Sequence, residues 1–192
     1  MKKKLAQIFL ILVLVAIGVL GYSISKQLDL EEVIEQRITS LPEFELQTME
    51  GEIWNSNVVA DSLALIVNFF NTECPFCNAE IRSIVNHHQL GNVTNVILIS
   101  DQSLEVLRRF RNNYQLENVT GIRIMRDSTG SVKELFGVKG VPTTFVYSIE
   151  KDLISSIKGE IKAEVLYKLV RKTPTRTDST GILPGVDCEY QP

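Results

Sequence analysis

The stretch that most limits what this chain can fold into is Leu63 to Phe70, a short apolar run rich in Val and Ile, which ends just before two cysteines, Cys74 and Cys77. A run of that length and composition reads as a strand buried at the centre of a sheet. A buried strand needs neighbouring strands and helices laid over both faces. After the cysteines, Asn78 to Gln89 carries apolar residues at Ala79, Ile81, Ile84 and Val85, near helical spacing, with Gly91 as its stop.

The same alternation continues. Asn95 to Ser100 reads as a second buried strand, and Ser103 to Tyr114 as a helix with Ser103 as its N-cap. Ile122 to Met125 reads as a strand. Val132 to Phe136 reads as a short helix stopped by Gly137. Thr143 to Ile149 and Leu153 to Ile157 read as a hairpin, and Lys162 to Lys172 as a last amphipathic helix. Ahead of all this, Phe44 to Ser56 alternates in part around Glu50 and Gly51, which reads as a further hairpin. The order predicts an α/β domain with a central mixed sheet and helices on both faces.

The amino end is of another kind. Lys2, Lys3 and Lys4 precede an unbroken apolar run from Ile8 to Leu20, and no acid occurs before Asp29. Leu5 to Ile24 matches the roughly 20 residues a helix needs to cross a bilayer. Lysines on one side keep that end in the cytoplasm and the rest outside it. The expected organisation is a transmembrane signal anchor over 1–25, a charged stalk over 26–41, one folded domain over 42–172 and a loose tail over 173–192. A cleaved signal peptide is the competing reading, and both put the domain outside the cytoplasm. From Lys26 onward 17 basic residues face 23 acidic ones, without a basic patch, so nucleic acid is not an expected partner.

Outside the cytoplasm disulfides persist, yet three cysteines are too few for a stapled scaffold. A close pair at the end of a strand reads as chemistry. Cys74 falls at the amino end of the next helix, with Pro75 in its first turn. The helix dipole and free N–H groups there favour a thiolate, the form that attacks disulfides. Cys77, one turn on, is placed to resolve the mixed disulfide. A metal clip needs two more ligands, but His87 and His88 are adjacent and Cys188 is far off in the tail, so no metal is expected. Two small core residues is the plain alternative.

The stretch "VNFFNTECPFCNAEI", with "GVPTTFV" at Gly140 to Val146, resembles the thioredoxin superfamily. More narrowly it resembles the membrane-anchored, extracytoplasmic TlpA-like thiol–disulfide oxidoreductases, which include reductases serving cytochrome c maturation. The resemblance spans about 42–172. It implies a thioredoxin-like fold with an N-terminal β-hairpin extension. It implies Cys74 as nucleophile, Cys77 as resolving cysteine and Pro142 as a cis-proline facing them. Val141 would pair with a substrate strand, and Pro75 and Phe76 would meet the substrate and set the redox potential. Asn68 stands where thioredoxin has a buried acid. Glu80 matches an acid that many TlpA-like proteins carry, a candidate for proton transfer; a solvated helix-face glutamate is the other reading. No cofactor is implied beyond a redox-active Cys74–Cys77 disulfide. The implied partners are a disulfide-bearing extracytoplasmic client and a membrane electron donor.

There are departures. Relatives mostly carry tryptophan before the first cysteine, where this chain has Glu73. A neighbouring negative charge disfavours a thiolate and makes the dithiol a better reductant; a Glu73 that points into solvent and does little is the other reading. A peroxiredoxin is an alternative enzyme, but its threonine and proline positions hold Asn71 and Val67 here. Copper-delivery relatives carry CxxxC with a distal histidine, which this chain lacks. A non-catalytic thioredoxin-fold binding module is the remaining alternative. Cys188 is left over; it could cap a mixed disulfide, link two chains or be free, and is read as free.

Overall fold

The structure is a computed structural model that describes residues 2–59 and 62–172; in its first helix, side chains are described at 13–23, 25–26 and from 31 onward. The elements are α1 (Lys2–Ile38), β1 (Glu45–Gln47), β2 (Ile53–Asn55), β3 (Ala64–Phe69), α2 (Pro75–Asn86), α3 (His88–Gly91) and β4 (Thr94–Ser100). There follow α4 (Leu104–Asn113), β5 (Ile122–Arg126), α5 (Ser131–Leu135), β6 (Thr143–Tyr147), β7 (Leu153–Lys158) and α6 (Ala163–Lys172). The tail with Cys188 lies outside the described residues.

Seven strands form one mixed sheet in the order β2-β1-β5-β4-β3-β6-β7. β3, β4 and β5 are parallel, while β6 runs antiparallel to β3, and β1 antiparallel to β5. All six residues of β3 are buried, as a central strand covered on both faces requires. Side chains alternate between the faces. Ile66, Val96, Leu98 and Val146 point toward Ile81 and Ile84 of α2, Leu107 of α4 and Leu166 of α6. Leu65, Val67, Phe69, Ile97 and Phe145 point the other way, toward Ile38, Val132 and Phe136. The expected hairpin at Phe44 to Ser56 is present as β1 and β2, with Leu46 paired to Trp54.

Two elements differ from the sequence reading. The helix after the cysteines begins at Pro75 as expected, but it does not run on to Gln89: it breaks at His87. There the His87 ring accepts from the Leu90 amide through Nδ1 at 3.1 Å and meets Glu164 of α6 through Nε2 at 3.1 Å. Those two contacts hold a non-helical backbone that the helical spacing of the apolar residues does not reveal, so His87 and His88 do not share one helix. The final strand before the turn stops at Tyr147 rather than Ile149, because Ser148 to Lys151 form the turn, with Lys151 at φ +67°.

The segment read as a stalk continues α1 without interruption, and its last turns rest on the domain. Ile38 is buried, and the Tyr147 hydroxyl donates to the Ile38 carbonyl at 3.1 Å. Lys139 pairs with Glu31 at 2.6 Å. At Gly137, φ is +63° and a Cβ would fall 2.8 Å from the Ile34 side chain, so the approach requires glycine. Among the described residues no helix is long and apolar enough to cross a membrane; the run Ile8 to Leu20 has described side chains only from Val13 on, and those large apolar side chains are exposed.

Candidate active site

Cys74 is the N-cap of α2. Its extended backbone (φ −80°, ψ 117°) lets Sγ accept from the Cys77 amide at 3.3 Å, and Pro75 fills the first turn, where a missing N–H costs nothing. The side chain is half-buried, and its Sγ stands 3.9 Å from the Val141 carbonyl. The Val141–Pro142 peptide is cis, and the Gly159 amide holds the Pro142 carbonyl at 2.9 Å. The proline loop therefore lies against the nucleophile, with the Val141 carbonyl in contact with Cys74 Sγ. Pro75 is exposed, and Phe76 is 61% exposed beside it.

Cys77 is fully buried in the α2-side core. Burial, reinforced by the hydrogen bond with Cys74, pushes its thiol up to about 12. The two cysteines, three apart, thus differ sharply: one sulfur lies at the rim on a helix N-terminus, the other in a dry core.

One turn past Cys77, on the same face of α2, Glu80 is also fully buried. The Thr144 hydroxyl donates to Oε1 at 2.6 Å, and Asn68 Nδ2 donates to it at 2.9 Å and to Thr144 Oγ1 at 2.7 Å. Desolvation raises the Glu80 carboxyl from 4.5 to about 7; the hydrogen bonds from Thr144 and Asn68 and the nearby Ile161 backbone act against it, and the Glu160 charge acts with it. Glu80 Oε2 and Asn68 Oδ1 are buried without a partner among the described residues. A proton on the carboxyl removes the charge from a buried group with one oxygen unpartnered. Glu80 is therefore a buried group with a proton to exchange near neutrality, and not a solvated helix-face glutamate.

Glu73 is exposed, with its backbone amide donating to Asn71 Oδ1 at 2.8 Å. The structure brings Cys74, Cys77, Glu80, Asn68, Val141 and Pro142 together, and leaves Glu73, Pro75 and Phe76 on the rim. Sequence reading missed Thr144. The available signal was the strand pairing: β3 and β6 set Asn68 opposite Thr144, and both belong to the α2 face. Thr72 and Gln102 were missed as well. Among the described residues, no group of three or more His, Cys, Asp or Glu side chains could hold a metal ion.

The AhpC/TSA family model matches residues 39–155, more than half of the chain. No curated protein sequence matches it. Solved structures do match. A thiol:disulfide interchange protein of Chlorobium tepidum, 23% identical, superposes with a TM-score of 0.56 over 69% of this chain and 94% of its own. A secreted disulfide oxidoreductase of Mycobacterium tuberculosis, 17% identical, gives 0.58 over 71% and 98%. The peroxidoxin BcpB of the same organism, 18% identical, gives 0.61 over 71% and 96%. At these identities the likeness is one of fold, and the fold is thioredoxin-like.

The Glu80 environment predicts a specific pH dependence of stability. The folded carboxyl keeps its proton up to about pH 7, whereas the unfolded one loses it near 4.5. Below 4.5 both states are protonated and stability is unaffected. Between 4.5 and 7 only the unfolded state ionises, so stability falls as pH rises, by on the order of 3 kcal/mol in all. Urea unfolding at pH 5 and pH 8 is expected to show that loss in the native chain and to lack it in Glu80→Gln. Equal pH dependence in the two chains would remove the buried-acid account.

Proposed function

The chain belongs to the AhpC/TSA family and is a thiol–disulfide oxidoreductase, and on that footing we propose that it is a membrane-anchored reductase of extracytoplasmic protein disulfides. The observation that carries the chemistry is the sequence of environments along α2: an accessible thiol at the N-cap, a buried thiol one turn on, and a buried carboxyl with a proton to exchange near neutrality one turn beyond. The anchor and the location rest on the N-terminal lysines and the apolar run from Ile8 to Leu20.

Cys74, as thiolate, attacks one sulfur of the client cystine. A Cys74–client disulfide forms and the second client sulfur leaves as a thiolate, which takes a proton. The Cys77 thiol then gives its proton to Glu80, and its sulfur attacks Cys74 Sγ. The Cys74–Cys77 disulfide closes, and the first client sulfur leaves as a thiolate and is protonated in turn. Two electrons have passed from the protein dithiol to the client; the solvent, which took the Cys74 proton, protonates the sulfur that leaves first, and Glu80 gives the Cys77 proton to the sulfur that leaves last. A membrane electron donor restores the dithiol. No cofactor takes part in this scheme.

The AhpC/TSA assignment and the peroxidoxin superposition favour a second reading, a thiol peroxidase. Asn71, where that reading expects threonine, and the resolving Cys77 one turn from Cys74 weigh against it. In cells, Cys77→Ser in the full chain is expected to accumulate a Cys74 mixed disulfide with a client protein, and Cys77→Ser with Cys74→Ser to accumulate none. Peroxide consumption by the dithiol form without reduction of a polypeptide disulfide would instead make it a peroxidase. Failure of both reactions would leave a binding module.

The reducing direction is read from Glu73, an exposed acid next to Cys74 in sequence whose charge is screened by solvent. Replacing it by Gln is expected to make the Cys74–Cys77 couple less reducing, by up to about 30 mV, which is tenfold in the equilibrium constant. An unchanged potential would assign Glu73 no part in the direction of the reaction.

A further inference from the structure

We propose that Gln102 is a positioning residue for the nucleophile, acting through Thr72 to hold Cys74 in its N-cap geometry. The inference rests on Cys74 being the attacking thiol.

All three polar groups of Thr72 are bonded to side chains from elsewhere. Its amide donates to Gln102 Oε1 at 2.9 Å, and its hydroxyl accepts from Gln102 Nε2 at 3.0 Å. Its carbonyl accepts from Asn78 Nδ2 of α2 at 3.0 Å. Gln102 is itself anchored, since Ser100 Oγ donates to its Oε1 at 3.2 Å and accepts from its amide at 3.4 Å. Ser100 is buried at the end of β4. The Gln102 amide thus grips Thr72 with both its donor and its acceptor and ties that residue to the central sheet.

Thr72 lies two residues before Cys74. The turn that joins them is closed from Asn71, just before Thr72: the Asn71 Oδ1 accepts from the Glu73 amide at 2.8 Å and the Asn71 carbonyl accepts from the Cys74 amide at 3.1 Å. These inner bonds shape the turn, but they do not fix it relative to the rest of the domain. The Gln102 and Asn78 contacts do that. An N-cap contact depends on the cap residue's backbone being held extended while the next residues turn into the helix. A loop released at Thr72 lets Cys74 Sγ drift from the Cys77 amide, and the thiolate loses its donor and the helix-end field. Two such hydrogen bonds in a loop add little to global stability, so their consequence falls on the thiol rather than on the fold.

The test reads Cys74 without any client. Cys77 is buried, so iodoacetamide reports the rim thiol. In the full chain with Cys188→Ser, the alkylation rate is measured from pH 5 to 10, with thermal unfolding in parallel. Gln102→Leu and Thr72→Val are each expected to slow alkylation about fivefold at pH 7 and to move the rate–pH curve to higher pH. The double variant is expected to be no worse than either single one, and Thr72→Ser, which keeps the hydroxyl, to behave as the native chain. If Gln102→Leu fails to fold, Gln102→Asn, with a side chain too short to reach both groups, takes its place. A folded Gln102 variant with the native curve, or with a rate lowered equally at every pH, would overturn the proposal. Loss of client reduction with the native alkylation curve intact would count against the proposed function and leave this inference standing.

Discussion

The arrangement depends on one buried interaction, the knot of Glu80, Asn68 and Thr144 beneath the cysteine pair. It draws on three elements at once, the central strand β3, its antiparallel neighbour β6 and the helix α2. Burying an ionised carboxylate with a single neutral amide and a hydroxyl as partners is costly, so the carboxyl holds its proton well above the ordinary range. The same burial lifts the neighbouring Cys77 thiol. Both groups thus hold their protons above the ordinary range, and the proposed scheme passes one from Cys77 to Glu80 once that carboxyl is ionised.

That pocket explains the division of labour between two cysteines three apart. The first sulfur receives a backbone donor and a helix N-terminus at the rim. The second is surrounded by the α2-side core, where burial outweighs a backbone contact from Asn71. Reactivity follows position on one helix turn. The proline loop completes the site from the opposite side, with the Val141 carbonyl near Cys74 and the Pro142 carbonyl tied to Gly159 at the end of β7.

Much of this was legible in the amino-acid order. The apolar run at Leu63 to Phe70, the cysteine pair and the helical spacing after it were enough to place a thiol at a helix start. Asn68 and Glu80 could be singled out separately, but their direct bond and the Thr144 hydroxyl that joins both could not, because they depend on the register of β3 with β6 and on how α2 lies over them. The clamp on Thr72 is hidden for a like reason, since its partner Gln102 is thirty positions away and belongs to another turn. The break at His87 depends on Glu164 from the last helix. The docking of α1 had a signal that was available, Ile34 and Ile38 spaced four apart in a charged segment, which put one apolar stripe on an otherwise solvated helix.

The central claim is that Glu80 takes the resolving proton from Cys77. The direct test is the rate at which the dithiol protein reduces a polypeptide disulfide in a single turnover, followed from pH 5 to 9. Only ionised Glu80 can accept that proton, so the rate is expected to rise through an inflection near pH 7. In Glu80→Gln that inflection is expected to vanish while alkylation of Cys74 is unchanged. The same inflection persisting in Glu80→Gln would contradict the account.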